Sequence, residues 1–177
     1  LYIQSDETNL VTGLERKDET MKKVLVAYAT MSGSTAEVAE AVGVEIAKNK
    51  SRVDILPLEK VTDLASYDAV ILGAPMIMGW HRSALRFLRR HRTELERIPL
   101  AIFALAMSLT SAGETSEGGV PVYVDQSLSK LPMNLDHPSL RERYTNLTHY
   151  SSPILKVAGS ARPVSLAFFG GRLDYFH

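Results

Sequence analysis

An apolar run of strand length from Val24 stops abruptly at Thr30-Met31-Ser32-Gly33-Ser34-Thr35, a small, hydroxyl-rich loop, and a helical pattern begins at Ala36. This junction restricts the fold more than any other stretch. A strand feeding a helix through a short loop is the unit from which parallel α/β sheets are built. The helix N-terminus it creates has four N–H groups without intrahelical partners and the positive end of the helix dipole, so the loop can hold a phosphate.

The rest of the chain repeats the alternation. From Ala36 to Lys48, the residues Ala39, Val42, Gly43 and Ile46 fall at i, i+3, i+4 and i+7, with Glu37, Glu40 and Lys48 off that stripe, as in a helix lying on a sheet. Arg52 to Leu56 reads as a second strand ending at Pro57, and Val61 to Tyr67 as a brief helix. Ala69-Val70-Ile71-Leu72-Gly73 is continuously apolar, as expected of a parallel strand covered on both faces, and Gly73-Ala74-Pro75 is expected to end it. A helix follows from Ser83, with Ala84, Leu88, His91, Leu95 and Ile98 on one side. Leu100 to Leu105 makes a fourth strand and Val164 to Phe169 a fifth. The pattern predicts a parallel α/β domain with right-handed crossovers and helices on both faces.

Between the fourth and fifth strands the rhythm fails. Ser111 to Asp136 is long enough to be a lid or binding loop, and Pro121 confines any strand at Val120 to Val124 to an edge. His137-Pro138 opens a helical stretch carrying Leu140, Tyr144 and Leu147, and Ser152-Pro153 is expected to interrupt it before Ile154 to Val157. A helix should also cover the fifth strand, yet the sequence runs through Gly170-Gly171 to His177. The expectation is a truncated chain, or a cover supplied by another chain.

At 177 residues and 45% hydrophobic, one core is affordable and two are not. Leu1 to Thr20 is polar, without sustained periodicity, and is expected to be a disordered leader. The chain's net charge of zero argues against a general nucleic-acid binder and against a very acidic carrier, and with a net −3 on this leader the body carries +3 and is mildly basic. Arg82 to Arg97 holds six arginines against Glu94 and Glu96. A solvated helix face is the plain reading of that run, and a docking surface for an anionic partner or membrane the alternative. The absence of cysteine excludes disulfides, thiolate metal sites and thiol nucleophiles. The longest apolar stretch, Ile98 to Leu109, is far short of the roughly 20 residues that span a bilayer. No signal-peptide layout opens the chain, so a soluble cytoplasmic protein is expected, and the sequon Asn146-Leu147-Thr148 reads as chance.

In an open α/β sheet, ligands bind beyond the C-terminal ends of the strands, which singles out three loops. The first, Thr30 to Thr35, lacks the Gly-Lys-Ser/Thr of a nucleoside-triphosphate loop and the three spaced glycines of a dinucleotide loop. Neutral donors alone suit a terminal monophosphate. The second, Pro75-Met76-Ile77-Met78-Gly79-Trp80-His81, offers apolar and aromatic groups against which a flat ring could lie, Trp80 above all. The third, Met107-Ser108-Leu109-Thr110, sets small polar groups beside apolar ones. Together they describe a flavin mononucleotide (FMN) site. His81 receives no role and His91 is expected to pack on its helix. A phosphoacceptor receiver is ruled out, because Tyr28-Ala29-Thr30 and Gly73-Ala74-Pro75 stand where its aspartates would be.

The motifs T-x-S-G-x-T after the first strand, Y-D-A-V-I-L-G-A-P, G-W-H-x-x-A-L-x-F-L and the five-strand layout resemble flavodoxins. More narrowly, Ala106-Met107-Ser108-Leu109-Thr110 and F-F-G-G-R-L-D-Y resemble flavodoxin-domain proteins related to menaquinone-dependent protoporphyrinogen IX dehydrogenase. The resemblance runs from about Met21 to the C-terminus, with Ser111 to Asp136 poorly matched. It implies a five-stranded parallel sheet in the order 2-1-3-4-5. It also implies a phosphate held by Thr30, Ser32, Gly33, Ser34 and Thr35, an isoalloxazine flanked by Trp80 and its neighbours, and Ser108 to Thr110 on the other side. Ser32 stands where the family usually has threonine, which keeps the hydroxyl. The implied activity is an FMN-dependent oxidoreductase passing electrons from a small-molecule substrate such as protoporphyrinogen IX to a quinone. A flavodoxin-type electron carrier serving redox proteins and an inactive truncated domain are the rivals. The third loop lacks the aromatic that carriers often place there. In the dehydrogenase relatives the segment after the fifth strand is implicated in membrane or quinone contact, which would bring the chain to the inner face of the membrane. The residues identify no acid, base, nucleophile or metal ligand.

Overall fold

Four consecutive buried side chains, Val24 to Ala27, leave β1 (Lys23–Tyr28) no solvent face, so both of its sides must be covered. In the computed structural model, which describes residues 21–77, 79–110, 113, 115–131 and 139–171, that cover comes from helices on opposite faces of a parallel sheet. The chain continues through α1 (Ser34–Ala47), β2 (Arg52–Pro57), β3 (Ala69–Met76), α2 (Arg82–Arg90), α3 (Arg92–Leu95) and β4 (Leu100–Ala106). Four short strands follow, β5 (Leu109–Thr110), β6 (Ser116–Glu117), β7 (Val120–Val124) and β8 (Ser129–Lys130). The last elements are α4 (Leu140–Tyr144), α5 (Leu147–Ala158) and β9 (Ser165–Gly170). The expected order 2-1-3-4-5 holds as β2-β1-β3-β4-β9, all parallel. The helix α1 packs on one face over Val26, Ile71 and Val53, while α2 and α5 pack on the other over Leu25, Leu72 and Ile102. No helix among the described residues is long and apolar enough to cross a membrane.

Several expectations require correction. The sheet has seven strands, not five, because β7 adds beside β9 in parallel and β6 folds back on β7 antiparallel. Much of the stretch expected to be an irregular loop is therefore sheet. Pro121 is compatible because it lies one residue before the ladder between Val122 and Leu166 begins, so its missing N–H interrupts no bond to β9. There is no helix over Val61 to Tyr67. The regular turn lies earlier, at Leu58–Lys60 after Pro57 has set φ to −59°, and Val61 is already extended. Asp63 accepts a bond from the Ala65 N–H at 3.1 Å, an alternative to helical pairing, while Leu58, Val61 and Leu64 anchor the segment in the core.

β3 does not end at Gly73-Ala74-Pro75 but continues to Met76, paired with β4 through Pro75–Leu105 and Met76–Ala106. The Gly73 carbonyl points toward β1, where it accepts from the Ala29 N–H at 2.9 Å, and alternation turns Pro75 to that same side. Pairing with β1 has ended at Tyr28–Gly73, so no ladder bond is asked of the proline nitrogen. The helix from Ser83 is broken at His91, with φ −104° and ψ 21°, whose buried ring lies 4.8 Å from that of Phe87. Pro153 does not interrupt α5. It sits on the exposed side, and the carbonyl it leaves without a donor belongs to exposed His149, where water can reach it. The leader, Met78, His137-Pro138 and the segment 172–177 lie outside the described residues.

The expectation of a densely covered third strand has a local test. Gly73 sits directly opposite Phe103, and a Cβ added there would meet the ring's Cζ at 2.1 Å. Phe103 is buried and tilted against Phe169 at 6.0 Å, so its ring cannot simply swing away. Gly73→Val should lower stability by about 1–3 kcal/mol, or about 3–9 °C in Tm. Adding Phe103→Leu should recover most of it; an unchanged melting curve for Gly73→Val would contradict the contact.

Candidate functional site

The three loops singled out lie at one edge of the sheet because β1, β3 and β4 run parallel and end together. Between them is a cleft lined by Met31, Ser32, Ser34, Thr35, Pro75, Ile77, Leu105, Ala106, Met107 and Gly171. The first loop contributes most of its polar surface. Gly33 caps α1 with φ +90°, a left-handed conformation that a side chain would strain, and its own N–H is answered by the Thr30 hydroxyl at 3.0 Å. The Gly33 carbonyl accepts from Ala36 and Glu37. No side chain caps the helix, and the N–H groups of Ser34 and Thr35 have no partner among the described residues. Two backbone donors, three nearby hydroxyls and the dipole thus converge on the cleft, with exposed Glu37 in the same turn the one opposing charge.

The second loop is a tight return. An antiparallel bridge pairs Met76 with Trp80, and Gly79 turns with φ +118°. Of its expected ring contacts, Pro75 and Ile77 reach the cleft. Met76, 1% exposed, and Trp80, 7% exposed, do not; both belong to the core beneath it. The Trp80 Nε1–H donates to the Tyr150 carbonyl on α5 at 2.6 Å. Gly79 is exposed outside the cleft lining.

The third loop divides. Met107 faces the cleft, but Leu109 is fully buried and bonds through its N–H to the Leu128 carbonyl at 3.3 Å. Thr110 is tied to Thr145 by its N–H and its hydroxyl. Ser108 and Thr110 instead line a separate depression with Lys130, Leu131, Ser139, Glu142 and Thr145. The inserted strands β5 and β8 draw these residues aside. Leu105, Ala106 and Gly171 were missed, although the strand-end rule that selected the loops could have extended to the strand termini themselves. Gly171 is fixed by its N–H to the Ala106 carbonyl at 2.9 Å. The preceding Gly170 donates to Asp125, whose carboxyl is held below its ordinary range by the Ser127 backbone N–H, the Ser127 hydroxyl and Gly170 in turn.

The cleft encloses only about 20 Å³, room for roughly one water. A larger ligand would lie in the open at the sheet edge, with Met31 and Met107, 66% and 57% exposed, as walls free to move. Among the described residues no group of acidic and histidine side chains could hold a metal ion.

No curated protein matches significantly. Among solved structures, a flavodoxin from the domain Archaea matches at 22% identity and TM-score 0.44, covering 48% of this chain and 63% of its own. Oxidised flavodoxin 2 from Bacillus cereus matches at 27% and 0.37, over 48% and 62%. A lysine-to-glycine mutant of Fusobacterium nucleatum flavodoxin bound to flavin mononucleotide matches at 20% and 0.37, over 49% and 52%. The matched regions span less than two thirds of each of these flavodoxins. The weightier finding is a family profile, described as "Flavodoxin domain", that matches residues 25–177, most of the chain. The chain is a member of the flavodoxin-domain family, with a flavodoxin-like α/β fold.

Proposed function

We propose that this chain is an FMN-binding redox protein. The observation that carries the reading is the uncapped N-terminus of α1, with the unanswered N–H groups of Ser34 and Thr35 opening on a cleft bordered by all three strand-end loops. Ser32, Ser34 and Thr35 hold the terminal phosphate, with Gly33 allowing the turn and the Thr30 hydroxyl holding Gly33 in it. Pro75, Ile77, Met31 and Met107 border the ring, and Trp80 supports the second loop from the core. Neutral donors in a fixed loop favour a phosphate without requiring a proton or a metal.

When bound, the flavin supplies electron or hydride transfer at its ring. The chain's residues orient it, keep apolar groups beside it and leave its outer edge open to a partner. A finer reading, oxidation of a substrate such as protoporphyrinogen IX with a quinone as acceptor, draws on the sequence likeness at Ala106 to Thr110. Arginine-rich α2 and the missing aromatic in the third loop favour it over an acidic one-electron carrier.

Titration of FMN with the purified chain tests the first step: flavin fluorescence should be quenched saturably, with riboflavin binding at least about tenfold more weakly because it lacks the phosphate, about 1.4 kcal/mol. Failure to take up FMN removes both redox readings. With FMN bound, anaerobic turnover of protoporphyrinogen IX dependent on a menaquinone analogue supports the enzyme, and its absence leaves the carrier.

A further inference from the structure

Two of the arginines of α2, Arg86 and Arg90, line a second depression, far larger than the cleft at the loops. It encloses about 290 Å³ between the Leu58–Lys60 turn and α2, comparable with the small end of ligand sites. Ser83, Arg86 and Arg90 stand along one wall at i, i+3 and i+7, a row about 10 Å long. Leu58, Val61 and Phe87, all buried, make the apolar floor. Glu59 lines the opposite side.

Neither Arg86 nor Arg90 takes part in an ion pair or hydrogen bond among the described residues. The neighbouring Arg92 is different, with Glu96 at 3.5 Å and the Ser160 hydroxyl at 3.3 Å. Two exposed guanidinium groups four residues apart on a helix repel each other by a few tenths of a kcal/mol. An anion bridging them removes that repulsion and can take paired N–H donors from each planar group. A row of surface arginines alone would be satisfied by water. Here the row borders a concavity with an apolar floor, which water does not satisfy and an apolar group does.

We propose that this groove binds an amphiphilic anion: a phosphate or carboxylate head between Arg86 and Arg90, with the Ser83 hydroxyl as a further donor, and an apolar body on Leu58, Val61 and Phe87. Glu59 repels a second negative group on the body and so selects for a single anionic head. The proposal does not rest on flavin binding, because the groove shares no lining residue with the cleft at the loops.

The test uses 2-naphthyl phosphate as probe on the full chain, with backbone amide shifts followed by NMR. Saturable shifts centred on Ser83, Arg86 and Phe87 are expected, with inorganic phosphate and 2-naphthol each at least about tenfold weaker because each offers half of the ligand. The Arg86→Gln/Arg90→Gln double variant alters exposed side chains, so it should fold normally and lose binding about 30-fold or more. Vesicles containing phosphatidylglycerol separate the two sources of such a ligand. Arginine-dependent flotation competed by the probe identifies a lipid headgroup, and binding of the probe without flotation identifies a free small molecule. Undiminished binding in the double variant, shifts centred elsewhere, or no saturable binding of the probe overturns the proposal.

Discussion

Replacing Ser34 by aspartate should cost the chain at least about 100-fold in FMN affinity, near 2.7 kcal/mol, while leaving riboflavin binding within about twofold. Ser34 is the first residue of α1, half-buried on the cleft wall, with its N–H unanswered. A carboxylate there meets a phosphate at short range in a partly desolvated site, where like charges cost several kcal/mol. Acidic residues at a helix start are favourable in themselves by about 0.3–1 kcal/mol, so Ser34→Asp should fold as well as the parent or slightly better. That combination separates loss of the anion site from loss of the fold. Thermal melting checks the second, and paired titrations with FMN and riboflavin check the first. Equal weakening toward both flavins would place the phosphate away from α1.

The central strands and the place of the first loop at a helix start were readable because each depends on short-range rules, whereas the strand order was implied by the resemblance to flavodoxins. Continuous apolar runs mark covered parallel strands, and a Ser/Gly loop between strand and helix marks a turn at a helix N-terminus. Misreadings occur where tertiary pairing overrides local signals. Pro75 reads as a terminator, yet β1 has already ended alongside it and the strand carries on to Met76. Pro153 reads as a break, yet it faces solvent in α5. Leu109 and Thr110 follow β4 as ligand-loop residues should, but pairing of β5 with β8 turns them toward the insertion. That pairing joins residues about twenty positions apart, and Leu109-Thr110 and Ser129-Lys130 are too short to show a strand period, so no local pattern announces it. Trp80, expected beside the ring, lies in the core for another reason. An aromatic in a ligand loop is equally suited to a ring contact and to a buried hydrogen-bonded anchor, and only the position of the Tyr150 carbonyl decides.

Trp80 therefore offers the largest expected effect on stability. Its side chain is 7% exposed and joins the second loop to α5 by the bond from Nε1 to the Tyr150 carbonyl. Removing the ring in Trp80→Ala takes away both the packing and the bond, at about 3–5 kcal/mol, or about 10–15 °C in Tm. Trp80→Phe retains most of the apolar surface and loses the bond, at about 1–2 kcal/mol. The Tyr150 carbonyl still lies within a helix and can keep its intrahelical donor, which holds that second cost down. Trp80 is the chain's single tryptophan, so its emission reports directly on this site. Blue-shifted emission in the folded parent should move to the red in a single transition on urea unfolding. A stabilising role is distinguished from stacking on a flavin by the phenylalanine variant. If Trp80 acts as a core anchor, Trp80→Phe lowers the urea midpoint, followed by circular dichroism because the variant has no tryptophan, while FMN affinity stays within about twofold, since any change would be indirect. If it stacks on the ring instead, flavin affinity and absorption change with little effect on stability, and the anchoring role assigned to the Nε1 bond fails.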